Sequence, residues 1–230
     1  MSKYFDGNQA YWDKGYEAAN VESFVFRWYG RVLKAKLGID GAQRPKLLDF
    51  GCGTGASLEF FHRQGFEVYG VDISQPDIQS AKKRLPEISD RLKVITPEPS
   101  LDSDYFGVKF DIVIGIQAFY YFNHADFSVM MQSIYKQMTP NAIIYGTMIG
   151  TKCWYYKNAE PVGDGLYRVS VNSDRLDFGD YFIQFTESEE DLLQKYSLFD
   201  RVEVGYYDAQ YLSDEGPDFH WTFTGKKPLK

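Results

Sequence analysis

The sequence has few cysteines, no long apolar stretch and no excess of basic residues. Its two cysteines, Cys52 and Cys153, lie far apart, form no C-x-x-C pair and have no histidine beside them. They therefore predict neither a metal site nor a disulfide framework, and a reducing, cytoplasmic compartment fits this usage.

No stretch approaches the ~20 consecutive apolar residues that a membrane-spanning helix needs. Residues 1–20 are polar and aromatic and lack the apolar run of a signal peptide. We therefore expect neither a membrane span nor a cleaved leader.

Basic residues are outnumbered by acidic ones: the formal net charge is −7, and the isoelectric point is about 5.0. Duplex nucleic acid needs a basic face that neutralises its phosphates, so nucleic acid is not an expected partner. A small anionic substrate held by a few local cations remains compatible with this charge.

Aromatic side chains are abundant, at 17 % of the residues. Hydrophobic residues at 44 % and charged residues at 25 % are ordinary for a globular protein. The length predicts a single α/β domain over residues 1–230, with no second full domain. The aromatic excess fits an aromatic-rich core and an aromatic-lined pocket equally well.

Strand-like and helix-like segments alternate through the first two thirds of the chain. The patterns predict strands at 47–50, 66–72, 92–96, 110–116 and 142–148, with helices at 56–64, 74–85 and 125–138 between them. This alternation favours parallel pairing through right-handed crossovers, and hence an α/β fold with an open doubly wound sheet. Ligands of such sheets bind outside the carboxyl ends of the strands.

The two flanking regions depart from this alternation. Residues 1–45 are predicted to form an N-terminal helical cap, with a helix from position 21. Residues 151–185 contain short β-like runs and no obvious helix. A helix at 187–196 is followed by a terminal hairpin over 202–212 and 219–224.

A glycine-rich turn lies in the segment LLDFGCGTGASLEFF, which reads as a buried strand, a turn and the start of a helix. Gly51, Gly53 and Ala56 satisfy the dinucleotide pattern G-x-G-x-x-G/A. Asp72 closes the second strand, where an acid can accept both hydroxyls of a ribose. Taken alone, these features keep an NAD-dependent reductase open.

Three features favour a different nucleoside ligand. Asp49 stands two residues before the first glycine, where an ammonium group is more welcome than a pyrophosphate. The chain ends in a strand pair after the fifth strand, and no Tyr-x-x-x-Lys pair for hydride transfer is present. The ligand predicted from these features is a nucleoside with an amino-acid tail.

The segments LLDFGCGTG, VYGVDIS and FDIVIGIQAFYYF resemble the class I S-adenosylmethionine-dependent methyltransferases. The resemblance is clear over residues 47–127 and looser over the terminal hairpin. It implies a Rossmann-like, seven-stranded, mostly parallel sheet whose last strand is antiparallel, and S-adenosyl-L-methionine as the cofactor.

The resemblance also assigns roles to matching positions. The methionine portion would face Asp49 and the turn of Gly51, Gly53 and Gly55. Asp72 would hold the ribose hydroxyls, Ile73 would pack on the adenine, and Gln117 would lie near the methionine carboxylate or sulfonium. The acid that this family often uses for the adenine amino group is missing from its usual place after the third strand, so Glu98 or a backbone group would serve, or the contact is absent.

A narrower similarity concerns the opening YWDKGYEAANVESFVFRWYGRVL and the later GTKCWYY. Both resemble sugar O-methyltransferases of bacterial surface-polysaccharide biosynthesis. This implies methyl transfer to a hydroxyl of a nucleotide-linked sugar, with residues 151–185 as an acceptor-side insert. An amino sugar or small amine as N-acceptor, and a non-catalytic nucleoside-binding protein, stay open, as do monomer and homodimer.

Candidate catalytic residues are few, because the chain has three histidines. A hydroxyl acceptor benefits from a general base, for which we consider His124 and His220, whereas His62 reads as a solvated helix residue. Tyr121 either lines the pocket and orients the acceptor or is simply buried.

The N-terminal region supplies further candidates for the cofactor. Tyr11 and Trp12 could close over it, since aromatic faces attract a sulfonium, or they could belong to a helix packed beneath the sheet. Arg27 could pair with the methionine carboxylate, or join Arg31 and Lys34 in gripping phosphates. Alternatively, these three basic side chains form a solvent-exposed face of the helix and bind no ligand.

Overall fold

The computed structural model describes residues 20–172, 177–210, 213 and 216–229. Tyr11 and Trp12, with the first part of the predicted N-terminal cap, lie outside the described residues.

Ten strands and five α-helices make up the described part of the chain. The strands are β1 (Lys46–Phe50), β2 (Glu67–Asp72), β3 (Leu92–Val94), β4 (Phe110–Gly115), β5 (Met138–Ile149), β6 (Glu160–Gly163), β7 (Leu166–Asn172), β8 (Asp177–Ile183), β9 (Asp200–Ala209) and β10 (Asp218–Lys226). The helices are α1 (Ser23–Trp28), α2 (Ala56–Arg63), α3 (Gln75–Arg84), α4 (His124–Lys136) and α5 (Glu189–Lys195).

Seven strands form one sheet in the order β3-β2-β1-β4-β5-β10-β9. The pairs among β1 to β5 are parallel, and β10 runs antiparallel to both β5 and β9. The prediction of a doubly wound, mostly parallel, seven-stranded sheet with an antiparallel terminal hairpin is thus confirmed.

Several element boundaries differ from the sequence prediction, and two of the differences have a clear local cause. Strand β5 begins at Met138 and not at position 142, because Met138 pairs with Phe110 and a register shift lets the strand continue through Thr139, Pro140 and Asn141. Helix α5 begins two residues late, because the Ser188 side chain accepts the N–H of Asp191 and so caps the helix.

Hydrophobic cores cover both faces of this sheet. On one face the core contains buried residues of α1, α2 and α3, with Trp28 stacked on Tyr145 at a ring distance of 4.2 Å. The indole N–H of Trp28 also donates to the Thr224 hydroxyl at 3.0 Å. Helix α1, which continues as a π-helix over Tyr29–Lys36, is therefore anchored beside the sheet.

The opposite core contains α4, α5 and the region 151–185. This region has a 3₁₀ turn (Trp154–Asn158) and the antiparallel sheet β6-β7-β8, as its short β-like runs predict. No helix in the described ranges is both long and apolar enough to cross a membrane.

Candidate functional site

A cavity of about 550 Å³ opens at the carboxyl ends of β1, β2 and β4. Residues from the end of β5, the start of β10 and the region 151–185 complete its wall. Because β10 runs antiparallel, its first residues reach the same sheet edge as the last residues of the parallel strands. This is the edge at which open α/β sheets bind ligands.

The glycine turn forms the floor of this cavity. Gly51 and Gly53 line it, and both have positive φ, 75° and 51°. A Cβ on Gly51 would lie 2.5 Å from the Cβ of Ala118, whereas a Cβ on Gly53 would meet nothing within 4 Å. The structure therefore leaves open space above Gly53 for a ligand.

Gly55, the third glycine of the turn, does not line the cavity as Gly51 and Gly53 do. A Cβ on it would lie 3.2 Å from the Cβ of Ala81 on α3. Its φ of 85° closes the turn into α2. The third glycine thus serves the turn and the packing of α2 against α3, and does not contact the cavity.

Asp49 is a buried acid at the end of β1, with 2 % of its surface exposed. Its Oδ1 has no hydrogen-bond partner among the described residues. Burial, with a contribution from the charge of Asp72, raises the pKa of Asp49 to about 8. A cation beside this carboxyl would give Oδ1 a partner and would stabilise the charged carboxylate against the effect of burial.

Asp72 lies at the end of β2 and is held by two backbone groups. The N–H of Gly53 donates to Oδ2 at 2.8 Å, and the N–H of Ser74 donates to Oδ1 at 2.9 Å. Burial raises the pKa of Asp72, and these hydrogen bonds oppose the rise. Since each carboxylate oxygen can accept a second hydrogen bond, two neighbouring hydroxyls can be held there.

Beyond Asp72 the cavity wall combines the apolar Ile73 and Ile95 with the acid Asp77. Ile73 lines the main cavity and also a neighbouring one of about 190 Å³. Glu98 is exposed and lines only the smaller cavity, so its predicted contact with an adenine amino group is not placed in the main site.

Gln117 lines the cavity just after β4, and hydrogen bonds hold both its backbone and its side chain. Its backbone has a φ of 53°, unusual for a residue other than glycine, and its N–H donates to the Thr147 hydroxyl at 2.7 Å. Its Nε2 donates to the Tyr207 hydroxyl oxygen at 3.1 Å.

His220 is a buried histidine in the wall, 2 % exposed, near the start of β10. Its Nδ1 lies 3.5 Å from Oδ1 of Asp218, and its Nε2 has no hydrogen-bond partner within the described part of the chain. Burial lowers the pKa of His220, although the nearby carboxylates of Asp218 and Asp208 oppose this effect. The ring is therefore neutral at pH 7, and a proton on Nδ1 facing Asp218 leaves Nε2 free to accept one.

Aromatic side chains form the remaining wall around His220. Tyr121 comes from the 3₁₀ turn Phe119–Tyr121, while Trp154, Tyr155 and Tyr181 come from the region 151–185. This region therefore contributes directly to the cavity, on the side away from the glycine turn.

Two predicted residues lie elsewhere. His124 is exposed at the first turn of α4, and its ring packs on Gly165 in the β6–β7 turn. It was predicted near the cofactor because it follows β4, but the Asn123 cap begins α4 there and directs the ring away from the cavity. Arg27 is exposed on α1 and does not line the cavity, because α1 buries its Val25 and Trp28 face against the sheet.

Sequence reasoning missed Asp218, Tyr181 and Tyr207. Asp218 stands two residues before His220, and alternate residues of a strand share a face, so this spacing could have paired the two side chains. Tyr181 and Tyr207 carry no local signal, because their positions depend on how the second sheet and the terminal hairpin pack.

Residues 48–144 match the sequence profile of a family described as "Methyltransferase domain". These residues are therefore similar to a methyltransferase domain. A ubiquinone biosynthesis O-methyltransferase from Pelagibacter ubique is 32 % identical over 102 residues, which are 44 % of this chain and 40 % of that protein. The chain thus matches about two fifths of the length of this curated relative.

Solved structures share the fold of this chain over nearly its whole length. A S-adenosylmethionine-dependent methyltransferase from Methanosarcina mazei has a TM-score of 0.66 and 16 % identity, covering 92 % of this chain and all of that one. A Burkholderia thailandensis 1,6-didemethyltoxoflavin N1-methyltransferase, solved with its acceptor and S-adenosylhomocysteine, has a TM-score of 0.58 and 18 % identity. It covers 99 % of this chain and 85 % of that one.

The residues present fit S-adenosylmethionine, the cofactor on which the similar protein from Methanosarcina mazei depends. The unpartnered carboxyl of Asp49 suits the ammonium group, the two oxygens of Asp72 suit the ribose hydroxyls, and the space above Gly53 admits the chain between them. No group of three or more His, Cys, Asp and Glu side chains in the described ranges could hold a metal ion.

The raised pKa of Asp49, about 8, predicts a pH-dependent stability of the cofactor-free protein. The unfolded chain loses this proton near pH 4. The protonated Asp49 therefore makes its full contribution to the free energy of unfolding below about pH 4. That contribution is lost as the pH rises towards 8. Urea unfolding measured across this interval should show a falling free energy of unfolding in the wild type and a flatter profile in Asp49→Asn.

The exposed Asp90 provides the matched control, since Asp90→Asn should keep the wild-type slope. Equal slopes in wild type and Asp49→Asn would show that Asp49 is ionised in the folded protein.

Proposed function

We propose that the protein transfers the methyl group of S-adenosylmethionine to a hydroxyl of a small polar acceptor, with His220 as the general base. The observation that carries this proposal is the unpartnered Nε2 of a buried, neutral His220, in the same cavity as Asp49 and Asp72. The curated relative from Pelagibacter ubique is named as an O-methyltransferase.

The bound cofactor supplies an electrophilic methyl group on a sulfonium. The chain's own residues then do three things. Asp49 and Asp72 fix the two ends of the nucleoside, the aromatic wall restricts water and orients the acceptor, and Nε2 of His220 accepts the hydroxyl proton. The Asp218 carboxylate stabilises the resulting imidazolium. Holding the reacting groups in line accounts for much of such a rate enhancement.

The cavity lining gives the acceptor a charge preference. Its carboxylates include those of Glu22 and Asp218, and the described lining residues include no Lys or Arg. A sugar ring can stack on Trp154 or Tyr155 and hydrogen-bond to the carboxylates. The diphosphate of a nucleotide-linked sugar finds no cation among these lining residues, so it would have to lie outside the described wall.

An NAD-dependent reductase fits the same cavity less well than an O-methyltransferase does, and an N-methyltransferase fits it equally well. A pyrophosphate of NAD would bring no cation to the buried Asp49 beside the glycine turn, whose Oδ1 has no partner among the described residues, and this disfavours a reductase. An amine acceptor is compatible with the same site, since His220 could take its proton too, and the solved Burkholderia thailandensis neighbour is an N1-methyltransferase. Fragmentation of the methylated product in a mass spectrometer can therefore distinguish an oxygen acceptor from a nitrogen acceptor.

Calorimetry with S-adenosylhomocysteine tests the cofactor half of the proposal. The wild type should bind, and Asp72→Ala should weaken binding by at least about ten-fold, because two hydrogen bonds to a charged group are lost. Asp90→Ala should bind like the wild type. Absence of binding by the folded wild type would reject the cofactor assignment.

The acceptor half is tested by mass spectrometry with matched neutral, amino and phosphorylated sugars, including nucleotide-linked sugars. A gain of one methyl group is expected, with faster turnover of neutral or amino forms than of the corresponding phosphates. Preference for the phosphates would show that cations outside the described lining determine recognition. Fragmentation of the product would identify the acceptor atom as oxygen or nitrogen.

His220→Ala should lower kcat by roughly 10²- to 10⁴-fold, the usual contribution of a general base. The dissociation constant of S-adenosylhomocysteine should stay within about two-fold, because His220 is not placed at the nucleoside end. His62→Ala is the matched control, since the His62 ring lies outside the cavity lining and contacts Glu87 at 3.1 Å. A loss of activity in His124→Ala with retention in His220→Ala would reverse the assignment.

A further inference from the structure

Three rings form a stack behind the cavity wall. The ring of Phe24 lies 4.0 Å from that of Tyr207 with an interplanar angle of 6°, and Tyr207 lies 4.9 Å from the His220 ring at 7°. Tyr207 itself is not among the residues that line the cavity. Its neighbours on two sides are, because both His220 and Gln117 belong to the lining.

The hydroxyl of Tyr207 contacts the nucleoside side of the site. Its oxygen accepts the Nε2 hydrogen bond of Gln117 at 3.1 Å. Burial raises the pKa of Tyr207 well above its ordinary value, so the phenol stays neutral at any physiological pH. Gln117 has a strained backbone at a φ of 53°, and its carboxamide would otherwise be free to rotate.

The ring of Tyr207 contacts the acceptor side. It covers one face of His220 and is its direct cross-strand partner in the β9–β10 ladder. Tyr120 approaches the same imidazole at a ring distance of 5.7 Å. The charged groups that face His220 are Asp218 on its own strand and Asp208 on β9. With two acids near, the imidazole stays neutral only while aromatic rings keep water away from it.

We propose that Tyr207 is a positioning residue that couples the two halves of the site: its ring sets the plane of His220, and its hydroxyl sets the carboxamide of Gln117. The inference rests on the proposed function, since it gives His220 and Gln117 their roles. A parallel offset stack restricts rotation of the imidazole, and proton transfer requires Nε2 to stay within hydrogen-bond reach of the acceptor. Phe24 closes the far side of the stack and thereby links α1 to the catalytic base.

Two substitutions of Tyr207 separate these contributions. Tyr207→Phe keeps the ring and removes the hydroxyl. It should weaken S-adenosylhomocysteine binding about five-fold, the effect of losing one neutral hydrogen bond, and should leave the NMR titration of His220 unchanged. Tyr207→Leu should show the same weakening, and in addition the pKa of His220 should rise towards its ordinary value because water reaches the exposed ring face.

A double-mutant cycle tests the hydroxyl directly. Tyr207→Phe should have no further effect on binding in a Gln117→Ala background, because both changes remove the same hydrogen bond. Tyr206→Leu is the control on the neighbouring position, where the side chain is 67 % exposed. If Tyr207→Leu does not fold, Phe24→Leu loosens the same stack from outside and should shift the His220 titration in the same direction.

The inference is overturned if additive losses appear in the cycle, or if neither Tyr207→Leu nor Phe24→Leu moves the His220 titration. Failure of the wild type to bind S-adenosylhomocysteine is a separate result, because it rejects the proposed function itself. The His220 titration needs neither cofactor nor acceptor, so the two failures are distinguishable.

Discussion

The buried carboxyl of Asp49, beside that of Asp72, is the constraint on which the site depends. Adjacent parallel strands β1 and β2 bring two acids to one sheet edge, where burial penalises their charge. Backbone N–H groups of the glycine turn and of the α3 start relieve Asp72. Nothing described relieves Asp49. A ligand that carries both an ammonium group and a pair of hydroxyls meets both needs, which is why we propose a nucleoside with an amino-acid tail as the ligand of this site.

The acceptor end has a different origin. It is built from the antiparallel strand β10 and from the region 151–185, neither of which belongs to the repeating strand–helix pattern. The reversed direction of β10 carries Asp218 and His220 to the edge that holds the cofactor residues. Tyr207 on β9 contacts both His220 and Gln117, so the hairpin connects the proposed base to the residue proposed to lie near the cofactor.

The basic side chains of the N-terminal helical region lie on the protein surface, whereas the charged side chains that line the cavity are acidic. The cations predicted for phosphate binding lie on α1 and on the π-helix Tyr29–Lys36 that continues it. On the apolar face of α1, Trp28 packs against Tyr145 and Phe61. Arg27 and Arg31 are consequently exposed, while the cavity retains carboxylates and aromatic rings. This wall supports the proposal of a neutral or amine-bearing ring as the acceptor, because the described lining offers a phosphate group no cation.

The sequence alone determined the fold and the nucleoside end of the site. Alternating apolar patterns predict the parallel sheet, and Asp49, Gly51, Gly53 and Asp72 lie within a short contiguous segment whose geometry is set by local backbone rules. Tertiary structure decided the acceptor end. His124 follows a strand, as a catalytic residue should, yet the Asn123 cap directs its ring onto Gly165. His220 reaches the cavity only because β10 pairs with β5, some seventy residues earlier, and no local pattern encodes such a long-range pairing.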